Sequence, residues 1–585
     1  MVSSASPRLF GPKDRTLFGW YHPSSRRDLG VVVVSPFGYE AICAHRSLRH
    51  LAEDLARAGF PSWRFDLDGT GDSAGDDRDP DRVGAWVRSI HAACEALKGE
   101  AGVERVVLLG LRLGALLAGI VASEREDCVA LVALAPAMSG RAYARELKIL
   151  QAALDLAGPP PGVRPEEGIQ EALGFAITEE TRAALGKLAL DHVDLSRVGR
   201  VLVFDRDDLP GAERWLEGLV ASGIDAAGRT VPGYVEMMLD PHEAVVPARM
   251  LEAVVEAIGD AFPEPQPGSE TTQTEVVPTP SSAVVQGVVE TPHRLAGGIF
   301  GILSAPQDAP RSGRGIVLLN AGAVHRVGPN RLYTRFARAW AGAGHVVLRC
   351  DLTGIGDSPP RPGQPENVVY GDQALVDVEE VVRWLRQHEG LRRVDVVGLC
   401  SGAYHGLEAA IAGQPIDGVV SINPLTFDYD PSEPLDVRAH KVAIAAKRYA
   451  TSMKSVEKWR KLLRGEIDRA AVARTILRRA QEVADRRLRD LRRRLGIPHP
   501  NDLGADLERL AKRHVPLRFV FASDDPGREL LTDEGGSAVP ALLATPMLGI
   551  EVIDNPDHTF TQLWSHALLE QALARALDAL DRGRR

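Results

Sequence analysis

At 585 residues, 44% hydrophobic and 25% charged, the chain is too long for one hydrophobic core and has the balance of ordinary globular protein, so two or three domains are expected. A formal net charge of -10 argues against a general nucleic-acid binder. The five cysteines (Cys43, Cys94, Cys128, Cys350 and Cys400) are odd in number and show no C-x-x-C spacing, which indicates neither a disulfide framework nor a zinc site.

The first residues, Met1–Pro7, lack a basic region followed by an apolar core, and no apolar run approaches the length of a membrane span. A cytoplasmic protein is expected. Arg8–Gly11 and Leu17–Trp20 read as a short hairpin, Val31–Gly38 as an apolar strand ending in a Gly-containing loop, and Leu51–Gly59 as a helix entering the next strand. Asp66–Ser73 follows with the pattern D-x-x-G-x-G-x-S. Val106–Gly114 is a strand running into a turn at Arg112, and an insertion over about 139–191 is broken by Pro159–Pro161. The strand Val201–Asp208 ends in acidic residues, and Leu239–Glu243 carries His242. Residues 262–283, opening with the Pro-rich polar run Phe262–Glu275, read as a linker.

Beyond the linker the pattern starts again. His293–Gly301 opens like the first hairpin, Ile316–Gly322 answers to Val31–Gly38, and Phe336–Gly344 to the first helix. Asp351–Ser358 repeats Asp66–Ser73 at a displacement of 285 positions. Val394–Ala403 sits where the first copy has Val106–Gly114, with Cys400 displaced by 288 from Arg112. The strand Val419–Ile422 is followed by an insertion over about 429–513, rich in Arg between Arg474 and Arg494. Leu517–Ala522 then ends in Asp524 and Asp525, and Ile550–Ile553 leads to His558. Strands alternating with helices at this spacing predict two copies of one α/β fold, with mostly parallel sheets covered on both faces. The expected domains are 1–261 and 284–585, the second carrying a helical cap over its site. The basic face of that cap reads either as a solvated helix surface or as a face for an anionic partner such as coenzyme A or an acidic carrier domain.

The chemistry is read from the second copy. Gly398-Leu-Cys400-Ser-Gly402 between a strand and a small-residue helix has the form of a nucleophile elbow, G-x-Nu-x-G, with glycines where the turn is crowded. Cys400 is the candidate nucleophile. Two other readings are Ser401 as nucleophile, which would put Leu399 and Ala403 at the flanks, and a plain strand-to-helix turn with a buried Cys400. A thiol needs a base and a carboxylate that orients the base. His558 and Asp525, with Asp524 as the alternative acid, follow Cys400 in that order. The backbone N–H groups of Ala321 and Ser401 are the candidate oxyanion donors, and His325 and Arg326 are expected to face the pocket. In the first copy Asp208 and His242 answer to the acid and base. Arg112 holds no nucleophilic lone pair, so that copy is expected to be covalently inert. Arg112 would bind an anionic group or pair internally with Asp208 or Asp66. No cofactor or metal is expected.

With these motifs placed, both halves resemble the α/β-hydrolase superfamily over nearly the whole chain except the linker and the insertions. Ala323–Arg331 together with the Cys400 elbow looks like the exosortase-associated group of bacterial hydrolases, and Pro36–Glu40 looks like its sister group. The elbow is also similar to that of Cys-elbow acyltransferases, which conjugate acyl thioesters to amines. The resemblance implies a Cys-dependent hydrolase or acyltransferase acting through an acyl-thioester on a small acyl substrate, free or carried on coenzyme A or a carrier protein. Dienelactone-type hydrolysis at the same Cys differs only in substrate. A different class, a tandem scaffold or binding module with a protonated Cys400, is the alternative.

Overall fold

The computed structural model describes residues 5–154, 156–263, 281–430, 432, 487–493, 495, 497 and 501–583. In the first half β1 (Ser6–Phe10), β2 (Leu17–His22), β3 (Leu29–Val34), β4 (Ser62–Phe65), β5 (Arg105–Leu111) and β6 (Cys128–Leu134) precede a small hairpin, β7 (Ile169–Ala172) and β8 (Phe175–Thr178); β9 (Arg200–Arg206) and β10 (Ala226–Val231) follow. The main sheet has the order β1-β2-β4-β3-β5-β6-β9-β10. Its first two pairings, β1 with β2 and β2 with β4, are antiparallel, and the rest are parallel.

The apolar run Val31–Val34 has no accessible surface, as expected of a parallel strand buried on both faces. Side chains alternate along it: Val32 and Val34 pack with Ile90 of α2 (Arg82–Ala101) and Leu116 of α3 (Leu113–Glu124). Val31 and Val33 pack on the other face with Leu48 and Leu51 of α1 (Tyr39–Arg57). Between β6 and β7 lies α4 (Gly140–Ala153), within the expected first insertion.

The second half repeats the plan with one more strand. β11 (Ala283–Val285), β12 (Val288–Arg294), β13 (Phe300–Pro306), β14 (Arg314–Leu319), β15 (Val346–Asp351), β16 (Arg393–Leu399), β17 (Gly418–Ile422), β18 (Leu517–Ala522) and β19 (Leu548–Ile553) form a sheet of order β11-β12-β13-β15-β14-β16-β17-β18-β19. The helices that bear on the site are α5 (Leu332–Gly342), α6 (Gln373–His388), α7 (Ser401–Ile411) and α8 (Leu503–Lys512). Of the expected cap, residues 487–493 are helical, and 433–486 lie outside the described residues, as do 264–280 of the linker. Helix α8, counted with the cap from sequence, instead packs Leu503, Leu507 and Leu510 into the core beside β18.

The two halves are joined through their repeated D-x-x-G-x-G-x-S loops. Asp72 of the first loop pairs with Arg349 on β15, while Asp357 of the second loop pairs with Arg64 on β4. Arg349 is displaced from Arg64 by 285 positions, as Asp357 is from Asp72, so the pairs are exchanged across an approximate two-fold. Arg326, 1% exposed, lies at the centre, with Asp72 at 2.6 Å, Asp357 at 2.7 Å and Asp351 at 2.9 Å. Arg331 donates to the carbonyls of Gly69, Gly71, Ser73 and Gly75 in the first loop. An apolar seam of Phe18, Trp20, Phe300 and Ile302 completes the junction.

Candidate active site

At the end of β16 the chain turns through Cys400, whose φ of 57° and ψ of -116° fall outside the usual regions for a side-chain-bearing residue, and α7 starts at Ser401. The flanking glycines make this turn feasible. A Cβ on Gly398 would sit 2.1 Å from the Gly402 carbonyl carbon, and one on Gly402 would sit 2.7 Å from the Asn320 carbonyl oxygen. The first half builds the same elbow, with Arg112 at φ 54° and ψ -118°. Its backbone strain is kept although the side chain is not a nucleophile. Cys400 is partly exposed, whereas Cys43, Cys94, Cys128 and Cys350 are buried.

Among the predicted partners, His558 and Asp525 meet. The His558 Nδ1 lies 2.6 Å from Asp525 Oδ2, and the other Asp525 oxygen accepts the Gly527 N–H at 2.9 Å. Asp525 is buried at the end of β18 and Asp524 is exposed, so the geometry favours Asp525 as the orienting acid. The His558 Nε2 is buried, has no nitrogen or oxygen partner among the described residues, and faces the Cys400 sulfur. Burial alone would lower the imidazole. The Cys400 sulfur and the Asp525 carboxylate outweigh it and hold His558 well above the ordinary value.

Two side chains brace this arrangement, Asn423, which no motif marked, and Ser401 of the elbow. Asn423, just beyond β17 at φ 44°, donates from Nδ2 to the His558 carbonyl at 2.7 Å and accepts the Ala522 N–H on Oδ1 at 2.8 Å. It therefore ties the acid-bearing strand to the base-bearing loop. The Ser401 side chain accepts the Gly322 N–H at 2.9 Å and donates to the Asn320 carbonyl at 3.3 Å, fixing the loop after β14 against the elbow. Ser401 is thus a buried strut. The N–H of Ser401 heads α7, where a helix leaves its first donors unpaired, and the Ala321 N–H has no acceptor among the described residues. A cavity of about 140 Å³ adjoins this loop, bordered by Gly322, Ser401 and His405.

The first half does not assemble a matching constellation. Arg112, 5% exposed, pairs with Glu40 at 3.0 Å and Glu146 at 2.5 Å, in place of the anticipated Asp208 or Asp66. Asp208 is held by Arg206, with Nε at 2.7 Å from Oδ1, and His242 is exposed beside Glu243. His325 and Arg326, expected to face the substrate pocket, lie between the halves instead. His325 stacks on His45 at 3.9 Å, and Arg326 is enclosed by aspartates, because buried carboxylates of both loops need a cation there. The first half nevertheless reaches the site of the second: the carbonyls of Ala157 and Gly158 accept from Gln562 and Asn555, which flank His558.

Among the described residues no group of three or more His, Cys, Asp or Glu is arranged to hold a metal ion, and no helix is long and apolar enough to cross a membrane. Residues 41–169 match the family model of serine aminopeptidase S33, and residues 316–576 match that of the alpha/beta hydrolase family. No curated relative matches the chain. Among solved structures it is similar to the alpha/beta hydrolase GrgF from Penicillium sp. sh18, at 18% identity, covering 44% of this chain and 100% of that one, with a TM-score of 0.33. It is also similar to Est1E from Butyrivibrio proteoclasticus, at 19% identity, 44% and 97% coverage and a TM-score of 0.31. The proline iminopeptidase of Mycobacterium smegmatis gives 20% identity, 43% and 100% coverage and a TM-score of 0.30.

Proposed function

We propose that this chain, a hydrolase-type enzyme made of two α/β-hydrolase domains in tandem, acts through the second of them by forming an acyl-thioester on Cys400. The observation that carries the reading is the Asp525–His558 pair, whose Nε2 is left by the other described residues to face a cysteine set at a strained elbow. The proton of the Cys400 thiol passes to His558 Nε2, and the thiolate attacks the carbonyl carbon of an activated acyl group. The N–H groups of Ala321 and Ser401 receive the developing oxyanion, a service whose removal typically lowers the rate by about 10²–10³. As the carbon–heteroatom bond breaks, His558 returns the proton to the leaving group. Water, an amine or a hydroxyl then loses its proton to His558, attacks the thioester carbonyl, and the sulfur leaves.

A thioester is attacked readily by amines, which favours acyl transfer from thioester donors and is the reason for weighing the similarity to Cys-elbow acyltransferases. The likeness of Ala323–Arg331 to the exosortase-associated hydrolases points to the same broad chemistry without naming a substrate. The first domain is read as covalently inert, since Arg112 occupies its elbow and is paired with glutamates.

The test is intact-protein mass spectrometry of wild type and Cys400→Ser after incubation with a panel of acyl-coenzyme A and acyl-carrier thioesters, with and without amine acceptors. A mass gain mapping to Cys400 and discharged by an acceptor is expected. No adduct across the panel, together with a Cys400 inert to alkylation, would refute the enzyme reading in favour of a scaffold.

A further inference from the structure

Tyr370 lies in the loop between the second D-x-x-G-x-G-x-S motif and α6, a stretch to which no role has been given. Its ring is held on three sides. It stacks on Tyr429 at 4.6 Å and 17°, meets Tyr404 nearly edge-on at 5.4 Å, and lies 5.8 Å from His405. Tyr404 and His405 are the fourth and fifth residues of α7, which starts directly after Cys400. The ring is thereby fixed, and its buried hydroxyl has no nitrogen or oxygen partner among the described residues. The polar group facing that hydroxyl is the Cys400 sulfur.

An unsatisfied buried hydroxyl is unfavourable by roughly 1–3 kcal/mol, so a position that keeps one needs a reason. The thiol of Cys400 is a poor acceptor, but its thiolate is a good one. The orphan hydroxyl would therefore gain its partner when Cys400 ionises. Burial and the facing sulfur push the Tyr370 phenol well up, which keeps its proton in place as a donor across the working pH range. His558 and Tyr370 both interact with the sulfur.

We propose that Tyr370 is a catalytic residue whose hydroxyl donates a hydrogen bond to the Cys400 thiolate, an inference that rests on Cys400 being the nucleophile. The thiol proton goes to His558, Tyr370 keeps its own, and no proton crosses the phenol. A serine at the elbow would not need such a donor, because its hydroxyl stays protonated until attack. Once formed, the thiolate is a full charge in a partly enclosed site and gains from a second donor besides the imidazolium.

The experiment measures iodoacetamide alkylation of Cys400 against pH, by peptide mass spectrometry, in the full-length protein. It compares wild type, Tyr370→Phe, and protein with a ring-fluorinated tyrosine at position 370. Burial pushes the thiols of Cys43, Cys94 and Cys128 up to about 12, so these serve as slow internal references. Removing the hydroxyl should raise the Cys400 midpoint by roughly one to two pH units, the equivalent of one lost charge-assisted hydrogen bond. The fluorinated ring, a stronger donor, should lower it. Both variants titrating with wild type would overturn the proposal while leaving the nucleophile in place. A wild-type Cys400 that titrates like a free thiol, near about 8.5, would overturn the nucleophile and the proposal with it. If Tyr370→Phe does not fold, the fluorinated protein, which keeps the ring and hydroxyl, decides the sign by itself.

Discussion

Asn423→Gly should uncouple His558 from Cys400 without disturbing the sheet. The residue stands at φ 44°, where glycine sits without strain, so the substitution removes the side chain and leaves the backbone conformation available. Two hydrogen bonds are lost, the 2.7 Å bond to the His558 carbonyl and the 2.8 Å bond from the Ala522 N–H. At about 1 kcal/mol each, with more where the buried Ala522 N–H is orphaned, the local loss is roughly 2–4 kcal/mol. The larger consequence is positional, since a displacement of about 1 Å at a catalytic group can lower a rate about 10²-fold. We expect alkylation of Cys400 at neutral pH and discharge of its acyl adduct each to fall by roughly 10–10², with circular dichroism unchanged. Asn423→Ala should be worse by about 1 kcal/mol from its Cβ in the left-handed region. In the first domain Ala135 stands at the matching position, φ 43°, displaced from Asn423 by 288 positions, and the His242 carbonyl accepts instead from Asn367 Nδ2 of the second domain at 3.4 Å. Wild-type rates for both reactions in Asn423→Gly would refute the bracing role.

At the junction, Asp72→Asn leaves the buried Arg349 and Arg326 short of a counter-charge and should lower stability by about 3–5 kcal/mol, read as an earlier first transition in urea unfolding. Arg112→Ser should gain no nucleophile, because His242 is exposed and Asp208 is held by Arg206. It should remain unlabelled by a serine-directed fluorophosphonate, and labelling would show that the first site is merely blocked. Because the His558 value is raised by folding, the stability it contributes is whole below its ordinary 6.5 and is lost as pH climbs through the raised value. Alkylating Cys400 removes the sulfur's charge, so the His558 titration followed by NMR should move down. An unmoved titration would refute a thiolate–imidazolium pair.

Much of the fold was legible because its signals are local. The run Val31–Val34 reads as a doubly buried strand from composition alone, and the repeats at 285 and 288 positions need only comparison of the chain with itself. The elbow was legible because its glycines answer a steric demand that few residue types meet. The position of His325 and Arg326 between the halves is not written in their own loop. Whether it faces a pocket or another domain depends on packing between segments far apart in sequence. Asn423 and Tyr370 left no mark for a related reason. An asparagine after a strand, or a tyrosine in a loop, takes on meaning only when residues more than a hundred positions away, such as His558, or across the turn, such as Cys400, close on it.

The exchanged pairs also give a structural role to the domain whose elbow carries Arg112. Each D-x-x-G-x-G-x-S loop presents an aspartate that finds its arginine on the other domain, Asp72 at Arg349 and Asp357 at Arg64. Separated, either domain would expose or bury these charges without their partners, a penalty of several kcal/mol for each pair. The second domain in addition inserts Arg331 into the first domain's loop, where four carbonyls accept from it. In return the first domain's insertion supplies the carbonyls of Ala157 and Gly158 to the loop that carries His558. The first domain therefore forms part of the framework on which the proposed base is held. The Arg112 side chain at the first elbow takes no part in any of these contacts, being paired with Glu40 and Glu146.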